Sequence, residues 1–320
     1  MAFDQIRLGI SACLLGERVR FDGGHKCDRP LAESLGRHVE WIPVCPEVES
    51  GMDVPREAMR LVRDGGGIRL LTGKTNIDRT PDILSFARRR VDELRSADLS
   101  GFVLKKDSPS CGLERVKVYG PGGMPQRTGR GLFADALVAN LPLLPIEEEG
   151  RLRDPQLYEN FVERVFAYRR LTRLFSGSWS IGNLVRFHTA HKLTLMAHQP
   201  SAYRALGALV ARARALGRRD VEERYGSIFM AALSTIATPP RHVNVLHHML
   251  GYFKRLIDRA SRAEILDSIG QYGLGVVPLA VPLTLFGHHV RRCGVGYLAG
   301  QTYMRPYPLD LMTHHAVRVS

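Results

Sequence analysis

The 320-residue chain is poor in cysteine, with five, at 13, 27, 45, 111 and 293, and no two of them form a CxxC pair. An odd count at low density argues against a disulfide framework and leaves reduced thiols free to bind metal. No HExxH occurs, and Gly65-Gly66-Gly67 lies outside any GxGxxG or GxxxxGK[ST] context, so no nucleotide cofactor is indicated. Long apolar runs are missing too. The longest, Gly273 to Gly287, is broken by Pro278 and Pro282 and is too short to span a bilayer. The start, MAFDQIRLGIS, has no basic segment ahead of an apolar stretch, so no signal peptide is expected. These absences predict a soluble, cytoplasmic protein with no membrane partner. There is no internal repeat.

Acidic residues are scarce in one part of the chain only. Residues 1–150 hold 22 basic and 22 acidic side chains, and 151–320 hold the other 23 basic and 10 acidic, so the whole net charge of +13 belongs to the second part. Of those basic residues only Lys192 and Lys254 are lysines, and ten of the twelve histidines lie there as well. Arginine presents a planar fork of donors suited to phosphate, and a basic excess confined to one domain is the electrostatic footprint of a polyanion binder. A helical domain that is simply basic has the same composition. The densest cluster, ARARALGRR, contains Arg212, Arg214, Arg218 and Arg219. Tyr203, Tyr225 and Tyr252 could stack on bases, although such rings more often pack in a core.

The first part alternates strand and helix patterns. Candidate strands are Ile6–Ser11, Val39–Val44, Ile68–Leu71, Gly101–Leu104 and Val116–Tyr119. Candidate helices are Arg29–Arg37, Pro81–Ala97 and Gly131–Asn140. In the second helix Ile83, Phe86, Val91 and Leu94 recur at helical spacing, with Arg88–Arg90 facing out. This predicts an α/β domain with a mainly parallel, Rossmann-like sheet over residues 1–148. Past a Pro-containing link, amphipathic stretches at Gln156–Phe175, Ile181–His198, Ser201–Leu216, Val221–Thr238, His242–Ile257 and Ala263–Tyr272 are punctuated by Gly and Pro. They predict an all-α domain over 149–320.

Three cysteines each follow a candidate strand: Cys13, Cys45 and Cys111. The carboxyl ends of parallel strands share one edge, where ligands bind, so three thiols distant in sequence can meet there. Each alone reads as a small buried hydrophobe; three at equivalent positions read as a ligand set. Soft thiolates suit zinc or an iron–sulfur cluster. Zinc takes a fourth Cys or His, or a water. Three ligands on a 4Fe–4S cube leave one iron without a protein ligand, a Lewis acid open to a soft sulfur donor. Glu47, two residues after Cys45, is a candidate general base. Ser108 and Ser110 could donate a hydrogen bond or relay a proton, and Ser-Pro also forms turns. Cys27 and Cys293 read as incidental, though Cys27 stays open as a fourth ligand. His188, His191, His198 and the pairs His247-His248 and His288-His289 read as packing or phosphate contacts more readily than as a second metal site.

The segments SACLLGERVRFDGG (Ser11–Gly24), VCPEVESGMDVPRE (Val44–Glu57) and LKKDSPSCG (Leu104–Gly112) resemble the thiouracil desulfidase family, over about residues 1–148. LVRFHTAHKLTLMAHQP (Leu184–Pro200), RHVNVLHHMLGYFK (Arg241–Lys254) and YLAGQTYMRPYP (Tyr297–Pro308) are similar to the helical domain fused behind it in the two-domain branch. The resemblance implies Cys13, Cys45 and Cys111 as ligands of a 4Fe–4S cluster, Glu47 as the catalytic carboxylate and Ser108 as the catalytic serine. It also implies thiolated tRNA as partner, bound through the basic C-terminal domain, and hydrolytic conversion of 4-thiouridine to uridine. Met52 stands where the family pattern has Leu. Two alternatives stay open on the residues: a desulfidase of free thiouracil or thiouridine, and a non-catalytic iron–sulfur sensor that binds nucleic acid. A sulfur-inserting tRNA thiolase would need an ATP-binding loop, and none is visible.

Overall fold

Strand β1 (Ile6–Ser11) is buried at every position but one, the mark of a strand covered on both faces. In the computed structural model, which describes residues 6–120, 123–308 and 310–311, β1 sits inside a fully parallel sheet. Its partners are β2 (Val39–Val44) on one side and β5 (Gly101–Leu104) on the other, with β8 (Ile146–Glu148) beyond β5, giving the order β2-β1-β5-β8. Pro43 gives no N–H to a ladder and is tolerated because β2 is an edge strand. At Gly9 a Cβ would run into the ring of Phe102, so the centre of β1 has room only for glycine.

The other strands form a second, mixed sheet of order β4-β3-β6-β7, from β3 (Met59–Asp64), β4 (Gly67–Thr72), β6 (Val116–Tyr119) and β7 (Pro125–Gly129). The predicted strands at 68–71 and 116–119 belong here, outside the parallel sheet. Asp64 pairs with Gly67, so the triple glycine is a tight hairpin, with Asp64 accepting from the Gly66 N–H at 2.9 Å. β3 and β7 escape a periodicity reading because MRLVRD and PQRTG carry too few apolar residues.

Helices α1 (Arg29–Gly36), α3 (Thr80–Ser96) and α4 (Leu132–Asn140) fall where the pattern places them. Asp28 caps α1 by accepting from the Leu31 N–H, and Pro30 occupies the first turn. Phe133 of α4 meets Phe86 of α3 at 6.0 Å and Phe102 of β5 edge-on at 5.9 Å, so one aromatic trio joins helices to sheet. Arg88 and Arg89 face out as expected, whereas Arg90 is half-buried and reaches Glu49 in α2 (Pro46–Glu49) at 3.4 Å.

The chain divides into two compact units, Met1–Val165 and Phe166–Ser320, with the division inside α5 (Pro155–Phe175). The second unit is helical: α6 (Ile181–Ala190), α7 (Lys192–His198), α8 (Pro200–Arg212), α9 (Arg218–Ser234), α10 (Pro239–Gly251), α11 (Arg259–Gly273), α12 (Ala280–Cys293) and α13 (Gly296–Ala299). The single helix predicted over 181–198 is broken at His191, which leaves helical geometry and is buried. The apolar run around Pro282 becomes the start of α12, where a proline in the first turn costs no hydrogen bond. Leu193, Leu246, Met249, Phe253, Ile269 and Phe286 lie in the core of this unit. Among the described residues no helix is long and apolar enough to cross a membrane.

Candidate functional site

The register of the parallel sheet sets the level of each cysteine. Ser11 at the end of β1 pairs with Val44 at the end of β2, and Ile10 pairs with Val103, one residue before the end of β5. The three strands therefore finish together, and the Lys105 N–H donates to Ser11 Oγ at 3.0 Å across that edge. Chain order reverses between β1 and β5, the crevice where open parallel sheets bind ligands. Cys13 follows in a short 3-10 turn closed by left-handed Gly16. Cys45 caps α2. Cys111 returns to the edge after Asp107, whose φ of 58° turns the chain.

The three thiols perturb one another's ionisation, which places them in one neighbourhood. Burial raises Cys13 to about 11, with Cys45 adding to the rise and Lys105 and Arg20 opposing it. Burial also raises Cys45, against N–H groups of α2 and Arg56. Cys111 is raised furthest by burial, is hydrogen-bonded by buried Ser11, and is raised further by Glu47 and the other two thiols. Without a cation all three stay protonated; a bound metal centre reverses that order by stabilising thiolates.

Glu47 stands beside them. Ser110, fully buried, donates its hydroxyl to Glu47 Oε1 at 2.9 Å. Arg56 grips the other oxygen, with Nε at 3.0 Å from Oε2 and a second nitrogen on the same atom. Arg56 is itself anchored on the Val19 carbonyl at 2.9 Å and is nearly buried, its side chain 8% exposed. Ser108 Oγ accepts from the N–H groups of Ser110 and Cys111 at 3.2 and 3.1 Å, which fixes the turn and leaves its own proton unspent. All five residues chosen from sequence thus lie at this edge. Sequence reasoning missed Arg56 and Ser11, although both fall within the segments that carry the resemblance. It gave Ser110 no more weight than Ser108, yet the structure makes Ser110 the hydroxyl on the carboxylate.

Comparison with known proteins agrees with this division of the chain. Residues 8–149 match the model of the 2-thiouracil desulfurase family, and residues 192–308 match a protein of unknown function, DUF1722. The uncharacterized protein YbgA of Escherichia coli K12 is 32% identical over 154 residues, 48% of this chain and 91% of its own length. The chain belongs to the two-domain family in which a 2-thiouracil desulfurase domain precedes a DUF1722 domain. The uncharacterized protein YbbK of Bacillus subtilis 168 is 28% identical over 109 residues, 32% of this chain and 71% of its own. The solved structure of the 4Fe-4S-dependent thiouracil desulfidase TudS is 26% identical, covers 49% of this chain and 99% of its own, and has a TM-score of 0.40.

Among the described residues of the desulfurase domain and its neighbour, no three Cys, His, Asp or Glu side chains converge on a single-ion site. Thiolates of a cluster bind different irons at different corners, so they stand farther apart than ligands of one ion. Cys27 is exposed, lies against Gly16, and is not among the groups that shift the other three thiols. Cys293 ends α12 in the DUF1722 domain. The histidines there pack as expected. His198 bonds the Thr235 carbonyl at 2.6 Å, and His191, lowered to about 3 by burial and Arg170, accepts from Arg170 at 3.2 Å.

Gly131 has a structural role in this edge. A Cβ there would stand 2.5 Å from the Ser110 carbonyl carbon and oxygen and 2.8 Å from the Cys111 nitrogen. Backbone cannot yield as a flexible side chain can. Gly131→Ala is expected to destabilise the domain by about 1–3 kcal/mol and to lower metal content, because the Ser110–Cys111 peptide must shift. Thermal unfolding and iron analysis of the purified variant check both.

Proposed function

We propose that this chain is an iron–sulfur-dependent desulfidase that converts 4-thiouridine in tRNA to uridine and releases sulfide, in the cytoplasm. The observation that carries this reading is the juxtaposition of three thiols, on neighbouring strand ends, with a carboxylate clamped by Arg56 and Ser110. The donor set fits a cluster: three soft, mutually coupled thiols with Lys105, Arg20 and Arg56 nearby to offset thiolate charge. Cys13, Cys45 and Cys111 would hold it. A 4Fe–4S cluster so held keeps one iron without a protein ligand and supplies a Lewis-acidic position with affinity for a thiocarbonyl sulfur.

This chain's own side chains perform the hydrolytic part. Glu47 Oε1 takes a proton from water, and the resulting hydroxide attacks the ring carbon that bears sulfur. Ser110 and Arg56 fix the carboxylate so that Oε1 faces the edge. Ser108, with its proton unspent, steadies the tetrahedral carbon or protonates the ring nitrogen. One carbon–oxygen bond forms, one carbon–sulfur bond breaks, the proton leaves with sulfide, and no electron is gained or lost overall. Arg56→Lys keeps the charge but loses the fork. It is expected to lower kcat about 10–100-fold through misplacement of Glu47, with cluster absorbance unchanged, as steady-state kinetics will show.

The basic excess of residues 151–320 supports RNA as carrier of the thiobase. The test is anaerobic purification followed by incubation with bulk tRNA and nucleoside mass spectrometry. Loss of 4-thiouridine matched by uridine and sulfide is the expected result. Unchanged 4-thiouridine despite an intact cluster overturns it. The family description favours a second reading, a free thiobase as substrate; turnover of 2-thiouracil or free 4-thiouridine without turnover of tRNA would select it.

A further inference from the structure

Helices α8 and α9 pack together, and the turn between them is the centre of the arginine-rich ARARALGRR. A groove of about 520 Å³ lies between them, lined by Ala208, Leu209 and Ile228 and by Arg212 from α8 and Arg224 from α9. That volume is in the range of pockets that take a small organic group. Among the described residues neither Arg212 nor Arg224 has an acidic partner, and Arg214 has none. Their neighbours are engaged: Arg219 pairs with Glu223 at 2.9 Å, and Arg218 lies over the Trp179 ring at 5.3 Å. Glu223 also lines the groove, but Arg219 offsets its charge.

An apolar lining between two unpaired guanidinium groups suits a ligand that is flat and apolar in one part and anionic in another. A nucleotide unit of single-stranded or locally unstacked RNA has that form: a base face for Leu209 and Ile228, and phosphates for Arg212 and Arg224. An acidic peptide would meet the charge but leave the apolar lining without a partner. The surplus of 23 basic over 10 acidic side chains in residues 151–320 favours a long polyanion over a single small anion.

We propose that the α8–α9 groove is an RNA-binding subsite of this chain, holding one unstacked nucleotide with its phosphates on Arg212 and Arg224. The proposal rests on the reading that the thiobase is carried by RNA.

The test is fluorescence anisotropy of the full-length protein with a fluorescein-labelled, unmodified tRNA transcript over a salt series. Arg212→Glu/Arg224→Glu is expected to weaken binding by tenfold or more and to reduce the salt slope by about two. Ala208→Trp fills the groove without changing charge; it is expected to weaken binding several-fold at unchanged slope. Arg259→Glu/Arg262→Glu, on α11, removes as much charge elsewhere in the unit and is expected to change affinity much less. Circular dichroism monitors folding of each variant. Equal losses from the two double variants would reduce the groove to bulk charge and overturn the proposal, as would full affinity of Ala208→Trp or displacement of tRNA by polyglutamate at equal charge. Wild-type turnover of free 4-thiouridine, measured separately, reports on the desulfidase reading alone. Its failure leaves the binding result standing, and the reverse also holds.

Discussion

Glu47→Gln is expected to lower turnover of a thiolated pyrimidine by about 10²–10⁴-fold, the span that a positioned general base contributes. Glutamine is chosen over alanine because of Arg56. That guanidinium is nearly buried, and removing its carboxylate outright would leave a cation without its partner, mixing a folding defect with a catalytic one. The amide keeps an oxygen for Arg56, and the Ser110 hydroxyl can rotate to accept from the amide nitrogen. Shape is retained and proton-accepting capacity is lost. Visible absorbance and iron content should therefore match the wild type while kcat falls and KM changes little. Full turnover by Glu47→Gln would move the base to another group.

The parts of this arrangement legible in the sequence are those set by local pattern. Ile6–Ser11 and Gly101–Leu104 are apolar, buried strands that composition alone delimits, and their ends locate two of the three cysteines. The ordering of strands was less legible. Nothing in MRLVRD or PQRTG marks β3 and β7 as strands, because both belong to a small mixed sheet with polar outer positions. The resemblance led to Glu47 and Ser108, but the relation between Glu47 and Ser110 spans 63 residues and depends on where the turn after β5 closes. That turn is set by Asp107 and by the approach of Gly131, two long-range facts that neither periodicity nor spacing contains. Arg56 was hidden in the same way: in sequence it is one arginine among many, and only its burial against Val19 and Glu47 distinguishes it.

Cys13→Ser, Cys45→Ser and Cys111→Ser are each expected to abolish the cluster and all turnover, whereas Cys27→Ser keeps both. A hydroxyl has nearly the shape of a thiol, but it is a hard donor that stays protonated, so it cannot replace a thiolate on iron. The loss should not be one of folding. Burial and mutual repulsion hold all three thiols in the neutral form when no metal is bound, and a neutral buried thiol packs as a small apolar group. The apoprotein is therefore expected to retain its far-ultraviolet circular dichroism while visible absorbance and iron disappear. Cys111 is the sharpest case, since its side chain sits among Ser11, Glu47 and the other two thiols. Cys27 is the counterpart. It is exposed on the loop whose Lys26 N–H bonds the Cys13 carbonyl at 2.9 Å, close enough in the chain to compete for the fourth iron. If that iron is left for substrate, Cys27→Ser retains four irons per chain and wild-type kcat. Loss of iron in Cys27→Ser would make it a fourth ligand and close the position on which the desulfidase reading depends.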